Sequence, residues 1–139
     1  MKQILLALST MIFFTALSAQ CDKNLTLTSS KTEYLDASGS VQKTVDENTK
    51  IDIDKKSISI SPGGDHKMTG AILSATCGWK TAFKEGKSEF KTEFEDNGTL
   101  KKITIVLEGK NGKTSFTATI ADEPDKIIRV WLDSFEEKK

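Results

Sequence analysis

Apolar side chains recur at every second residue through most of this chain, and that spacing is the strongest constraint on its fold. Leu25 and Leu27 alternate with Thr26 and Thr28, Ile51 and Ile53 with Asp52 and Asp54, and Ile58 and Ile60 with Ser59 and Ser61. Ala71, Leu73, Ala75, Cys77 and Trp79 make one longer series on the same phase. Phe90 and Phe94 share a face, as do Ile103, Ile105 and Leu107, and then Phe116, Ala118 and Ile120. Successive side chains of a strand point to opposite faces, so this period describes strands with one buried and one wet face. The last run, 126–135, is apolar on both phases: Ile128, Val130 and Leu132 on one, Ile127, Trp131 and Phe135 on the other. A strand of that kind is expected in the middle of a sheet or covered on both sides.

Turn chemistry falls between these runs. Asn97-Gly98 and Asn111-Gly112 both tolerate the positive φ that a two-residue type I′ hairpin demands. Asp36 to Gly39, Pro62 to Asp65, Glu85-Gly86 and Glu123-Pro124-Asp125 are further turn signals. Apart from the first residues, no window of a dozen shows an amphipathic helical stripe with caps. The expectation is therefore all-β: an antiparallel meander of about eight or nine strands joined by hairpins. Left open, such a sheet exposes two long edges, and closing it into a barrel or strongly curved sheet removes them. A two-sheet sandwich is the alternative architecture.

Residues 1–19 have a different character. Met1-Lys2 give a positive start, Ile4 to Leu17 an apolar run, and Leu17-Ser18-Ala19 a small-residue cleavage signal. The run is shorter than the roughly 20 residues a membrane-spanning helix needs. We read 1–19 as a signal peptide removed before Gln20, and 20–139 as a single all-β domain that is periplasmic or extracellular. The competing reading is a lipid anchor on Cys21, disfavoured because Gln20 is bulky where lipoprotein processing selects a small residue. The chain carries 20 basic and 20 acidic residues. Lys2 leaves with the leader, so no basic excess remains to attract nucleic acid or an anionic membrane surface.

Cys21 and Cys77 are the only thiols. In an exported chain an even count suggests a disulfide, here closing a loop of about 57 residues. Lipidation of Cys21 would instead leave Cys77 as a small buried hydrophobe. Two distant cysteines and the single His66 do not supply the clustered ligands that zinc requires, so neither metal nor cofactor is expected.

Catalytic chemistry is equally sparse. His66 stands in the Gly63-Gly64-Asp65-His66 turn, no Gly-x-Ser-x-Gly elbow presents a serine, and Cys77 sits on the apolar phase. Asp52 with Asp54, and Glu93, Glu95 and Asp96, lie on polar phases without calcium-loop spacing. The lysines at 80, 84, 87 and 91 alternate with glutamates as a solvated surface does. The sequons at Asn24 and Asn97 acquire a role only in a glycosylating host. No enzyme is expected.

The string from Leu25 to Tyr34, the turn at Asp36 to Gly39, and the pair Lys50–Asp54 and Ser57–Ile60 resemble the opening of lipocalin-like domains of small secreted bacterial proteins. The resemblance implies an up-and-down barrel with an apolar mouth able to hold a ligand. The Gly-x-Trp signature of classical lipocalins is missing from the first strand, and Gly78-Trp79 lies mid-chain without a spacer, so no family binding residue carries over. Trp79, Phe90, Phe94 and Phe116 are the candidates to line the interior. A small barrel either fills itself with side chains or holds one small ligand, and alternation does not choose between them. The expected partner is a small apolar ligand. The alternative is an envelope protein meeting an outer patch around Ile127, Trp131 and Phe135.

Overall fold

The computed structural model describes residues 23–63 and 66–138. The expected leader, Gln20, Cys21, and Gly64 and Asp65 of one turn fall outside them. Nine strands follow in order: β1 (Leu25–Leu35), β2 (Val41–Ile53), β3 (Ser57–Pro62), β4 (Met68–Thr81), β5 (Glu85–Asp96), β6 (Thr99–Lys110), β7 (Lys113–Ile120), β8 (Glu123–Trp131) and β9 (Ser134–Glu137). The described residues contain no helix. Every pairing is antiparallel and each of the first eight strands pairs with its neighbour in sequence. β8 returns to β1, which closes an eight-stranded barrel, as the meander requires if it is to leave no long edge. The sandwich is excluded.

Asn97-Gly98 and Asn111-Gly112 form hairpins as expected, whereas Glu85-Gly86 and Glu123-Pro124-Asp125, also read as turns, open β5 and β8 directly after turns at 82–84 and 121–122. Asn97 and Gly98 have φ of 50° and 81°, and Asn111 and Gly112 have 54° and 75°. Both pairs join strands whose flanking residues, Asp96 with Thr99 and Lys110 with Lys113, are paired. At the β2–β3 turn the Asp54 carboxylate accepts from the backbone N–H groups of Lys56 and Ser57, each at 2.7 Å. Asp36 does the same work at the β1–β2 turn, accepting from Ser38 and Ser40.

One strand position of the barrel is shared. Leu25–Thr28 of β1 pair with β9, and Thr32–Leu35 pair with β8. Leu132 and Asp133 interrupt the outgoing strand between these two stretches, opposite a register shift between Ser29 and Lys31. The Ser29 hydroxyl, in a side chain only 3% exposed, bridges to the carbonyls of Trp131 (2.8 Å) and Lys31 (2.9 Å). Asp133 N–H bonds to the Thr28 carbonyl and Leu132 N–H to that of Thr114. The break therefore leaves these backbone groups satisfied, the condition for tolerating it.

This break corrects one expectation. Phe135 does not share an outer face with Ile127 and Trp131. It turns inward, its ring edge-on to Trp79 (centroids 5.6 Å apart) and to Phe83 (4.9 Å). Trp131 stays outside, where its indole N–H donates to Glu33 and the Arg129 guanidinium lies over its ring at 4.8 Å. Arg129 also pairs with Glu33 at 3.0 Å. The anticipated outer apolar patch is thus divided between the core and a polar cluster.

A second correction concerns β4. The series from Ala71 to Trp79 is not on one face, because a register shift between Ile72 and Ser74 inserts an extra residue against β5. Leu73 is left 57% exposed, while Ala75, Cys77 and Trp79 sit opposite Phe90, Ser88 and Gly86.

The core occupies the half of the barrel that contains the β2–β3, β4–β5 and β6–β7 turns and the chain ends. Leu25, Leu27, Ile51, Ile58, Trp79, Phe90, Ile105 and Leu107 are all 2% exposed or less. Burying each such side chain contributes about 1.5–3 kcal/mol. Trp79 is slotted against two glycines: a Cβ on Gly86 would meet the Trp79 backbone at 2.4 Å, and one on Gly109 would meet the Lys84 carbonyl oxygen at 2.5 Å. That end is closed. Outward positions such as Lys50, Asp52, Lys91, Glu93, Lys102 and Glu108 are polar. Apolar-in and polar-out is the reverse of a lipid-facing barrel.

Candidate functional site

The opposite end is open. Between the β1–β2, β3–β4, β5–β6 and β7–β8 turns the barrel holds a cavity of about 630 Å³. That lies within the range of small-molecule sites, which run to roughly 300–1,000 Å³. Ile51, Phe94, Phe116 and Val130 form its deep surface, all 6% exposed or less, and Ile60, Ile103, Ala118, Ile120 and Ile128 its walls. These are inward positions of the alternating runs, so the apolar lining is the direct product of the two-residue period. Gly70 permits the shape. A Cβ there would fall 2.4–2.6 Å from three carbons of the Phe94 ring.

Of the four aromatic candidates, Phe94 and Phe116 line this cavity. Trp79 and Phe90 do not. They belong to the packed closed end, where Trp79 Nε1 donates to Ser88 Oγ at 2.7 Å. The bulky indole can be buried there without loss because its one polar atom finds a buried partner.

Three polar residues of the cavity, Thr32, Glu47 and Thr49, share the wall formed by β1 and β2. Thr32 and Thr49 are 4% and 5% exposed, and Glu47 is half-buried. Thr32 Oγ1 donates to Glu47 Oε1 at 3.1 Å. Thr49 Oγ1 has no hydrogen-bond partner, alone in this respect among the buried side-chain polar atoms of the described residues. Sequence reading did not single these three out. The signal was present, since the odd phase of Ile51 and Ile53 runs back through Thr49 and Glu47, but polar residues on an apolar phase attract no attention until the strand is seen to continue. At the rim stand His66, Lys67, Glu95 and Lys101.

Other candidate chemistry is dispersed. His66 is at the open rim, whereas Cys77 faces inward at the closed half opposite Ser88, so the two do not pair. Asp52 accepts from Thr26 on the outer surface, and Asp54 caps a turn. The Lys56 backbone N–H, foremost, with Ser57, holds the Asp54 carboxyl below the usual carboxylate range. The Ser38 hydroxyl and Ser40 N–H do likewise for Asp36. Among the described residues no group of three or more His, Cys, Asp or Glu side chains could hold a metal ion. No free cysteine occurs among them either, and Cys21, with the bridge expected of it, lies outside them.

Comparison with known proteins finds no family model that matches this chain, and no curated protein or solved structure that matches it.

Proposed function

We propose that this chain is an exported, non-enzymatic barrel that takes up a small, largely apolar molecule through its open end. The cavity of about 630 Å³, walled by Ile60, Ile103, Phe94, Phe116 and Ala118, carries the reading. An eight-stranded barrel has two ways to occupy its interior, and this one uses both. Aromatic side chains fill the closed half, and the other half is left for a guest. Surface excluded from water on entry supplies the affinity, about 25 cal/mol per Å² before the costs of association.

Export rests on the leader, residues 1–19, and on the cysteines. Lys23 lies over the Phe83 ring at 5.8 Å and pairs with Glu137 at 3.7 Å. The chain thus enters β1 beside the β4–β5 hairpin, two residues after Cys21 and on the strand pair that carries Cys77. This placement supports a Cys21–Cys77 bridge holding the N-terminal segment to the closed end, the kind of staple favoured in an oxidising compartment.

The test is uptake of Nile red, a neutral dye that brightens in apolar surroundings, by the mature protein and by Ala118→Trp. The indole would project from the wall into the middle of the cavity and obstruct a bulky guest without replacing any residue of the closed end. Brightening by the natural protein and its loss in the variant, with unchanged far-ultraviolet circular dichroism, is the expected result. Equal brightening by both, or by neither, would overturn the reading.

A further inference from the structure

We propose a second binding site on the outer surface of the barrel, where the indole of Trp131 is the platform for a neutral saccharide. The site is separate from the cavity. Trp131 is 39% exposed, yet its ring is held in place. Its N–H donates to Glu33 Oε1, and the Arg129 guanidinium lies over the ring at 4.8 Å. The same Glu33 oxygen accepts from Arg129 Nε at 3.1 Å and pairs with Nη2 at 3.0 Å. The side chains of Glu33 and Arg129 are only 16% and 26% exposed, so the clamp is sheltered while the indole it holds is not. An exposed ring fixed in advance loses little freedom when a guest settles on it. Its one polar atom is already bonded, so it offers the guest a π surface and no donor.

The surrounding face selects the guest. Pairing sets Trp131 of β8 opposite Ser115 of β7, which faces Glu108 of β6. The next row is Arg129, Thr117 and Val106. Phe116 is buried between Ser115 and Thr117, so alternation turns both hydroxyls outward beside the platform. A pocket of about 330 Å³, at the lower end of the small-molecule range, is bordered by Trp131, Leu132, Gly112, Lys113 and Thr114. Arg129 is neutralised by Glu33, and Glu108 and Lys113 are of opposite sign, so the face carries no net charge to recruit an ion. A pyranose ring fits this mixture. Its slightly positive C–H groups meet the negative face of the indole. Its hydroxyls, each both donor and acceptor, meet Ser115 and Thr117, with Glu108 accepting and Lys113 donating. A wholly apolar guest would leave those groups without partners.

Calorimetric titration of the mature protein with cellohexaose and with maltohexaose, both neutral, tests this. Heat of binding is expected with at least one, together with a change in tryptophan emission, since Trp79 is buried and Trp131 is the indole a sugar reaches. Trp131→Ala is expected to weaken binding tenfold or more. Trp131→Phe keeps an aromatic face but gives no N–H to Glu33, and should fall between the two. Nile red uptake and circular dichroism should be unchanged in both variants, because Trp131 does not border the cavity. Absence of binding heat with both sugars overturns the proposal, as does binding undiminished in Trp131→Ala. Neither result touches the cavity reading, which the dye decides by itself.

Discussion

Trp79 Nε1 donates to Ser88 Oγ at 2.7 Å, with both side chains 2% exposed or less. The pair links β4 to β5 at the closed end and lets a bulky indole seal the barrel without an orphaned donor. Ser88→Ala removes the acceptor and leaves that N–H buried and unpaired. The expected cost is about 1–3 kcal/mol, read as a lower urea midpoint with an unchanged denaturant slope. Nile red uptake should persist in the folded protein, because neither residue borders the cavity.

Gly70 and Phe94 form the corresponding contact at the open end. An added methyl would sit 2.4–2.6 Å from three ring carbons, closer than any tolerated contact. Gly70→Ala is expected to drive the Phe94 ring into the cavity, at a cost of about 1–3 kcal/mol. Both the melting temperature and the dye brightening should fall. Retention of full uptake would show that the ring finds another place to go.

The Cys21–Cys77 bridge is testable by mass. The mature protein should weigh two hydrogens less than its sequence from Gln20, and reductant should restore them. Reduction is expected to lower stability by up to about 4 kcal/mol for a loop of this length. A melting temperature indifferent to reductant would count against the bridge, and an acylated Cys21 would abolish it.

Acid should loosen the two turns capped by Asp36 and Asp54. Both carboxyls are held below their ordinary range in the folded state, Asp36 chiefly by the Ser38 hydroxyl and Asp54 chiefly by the Lys56 N–H. A depressed folded value contributes stability above the unfolded carboxylate value, near pH 4. That contribution is lost as pH falls from there through the lower folded values. Melting curves between neutral pH and about pH 2 should show a shallower acid limb for Asp54→Asn than for the natural protein. Both groups are solvent-exposed, so the difference is expected to be small and to shrink with salt.

Local chemistry alone determined a good deal of this protein. Alternation named the inward residues of β1, β2, β3, β5, β6 and β7, and Asn97-Gly98 and Asn111-Gly112 set two hairpins at their observed positions. These features depend only on neighbours one or two residues apart, so a chain without coordinates displays them. Tertiary structure decided the rest, since bulges and breaks answer to a partner strand far away in sequence. The shift at Ile72/Ser74 turned Leu73 outward, and the interruption at Leu132–Asp133 carried Phe135 from the outer surface onto Trp79. Which aromatics fill the barrel and which border its cavity followed from how far each lies from the closed end, a distance that period two does not encode. Thr32, Glu47 and Thr49 became visible as one polar stretch of cavity wall only when β1 was laid beside β2.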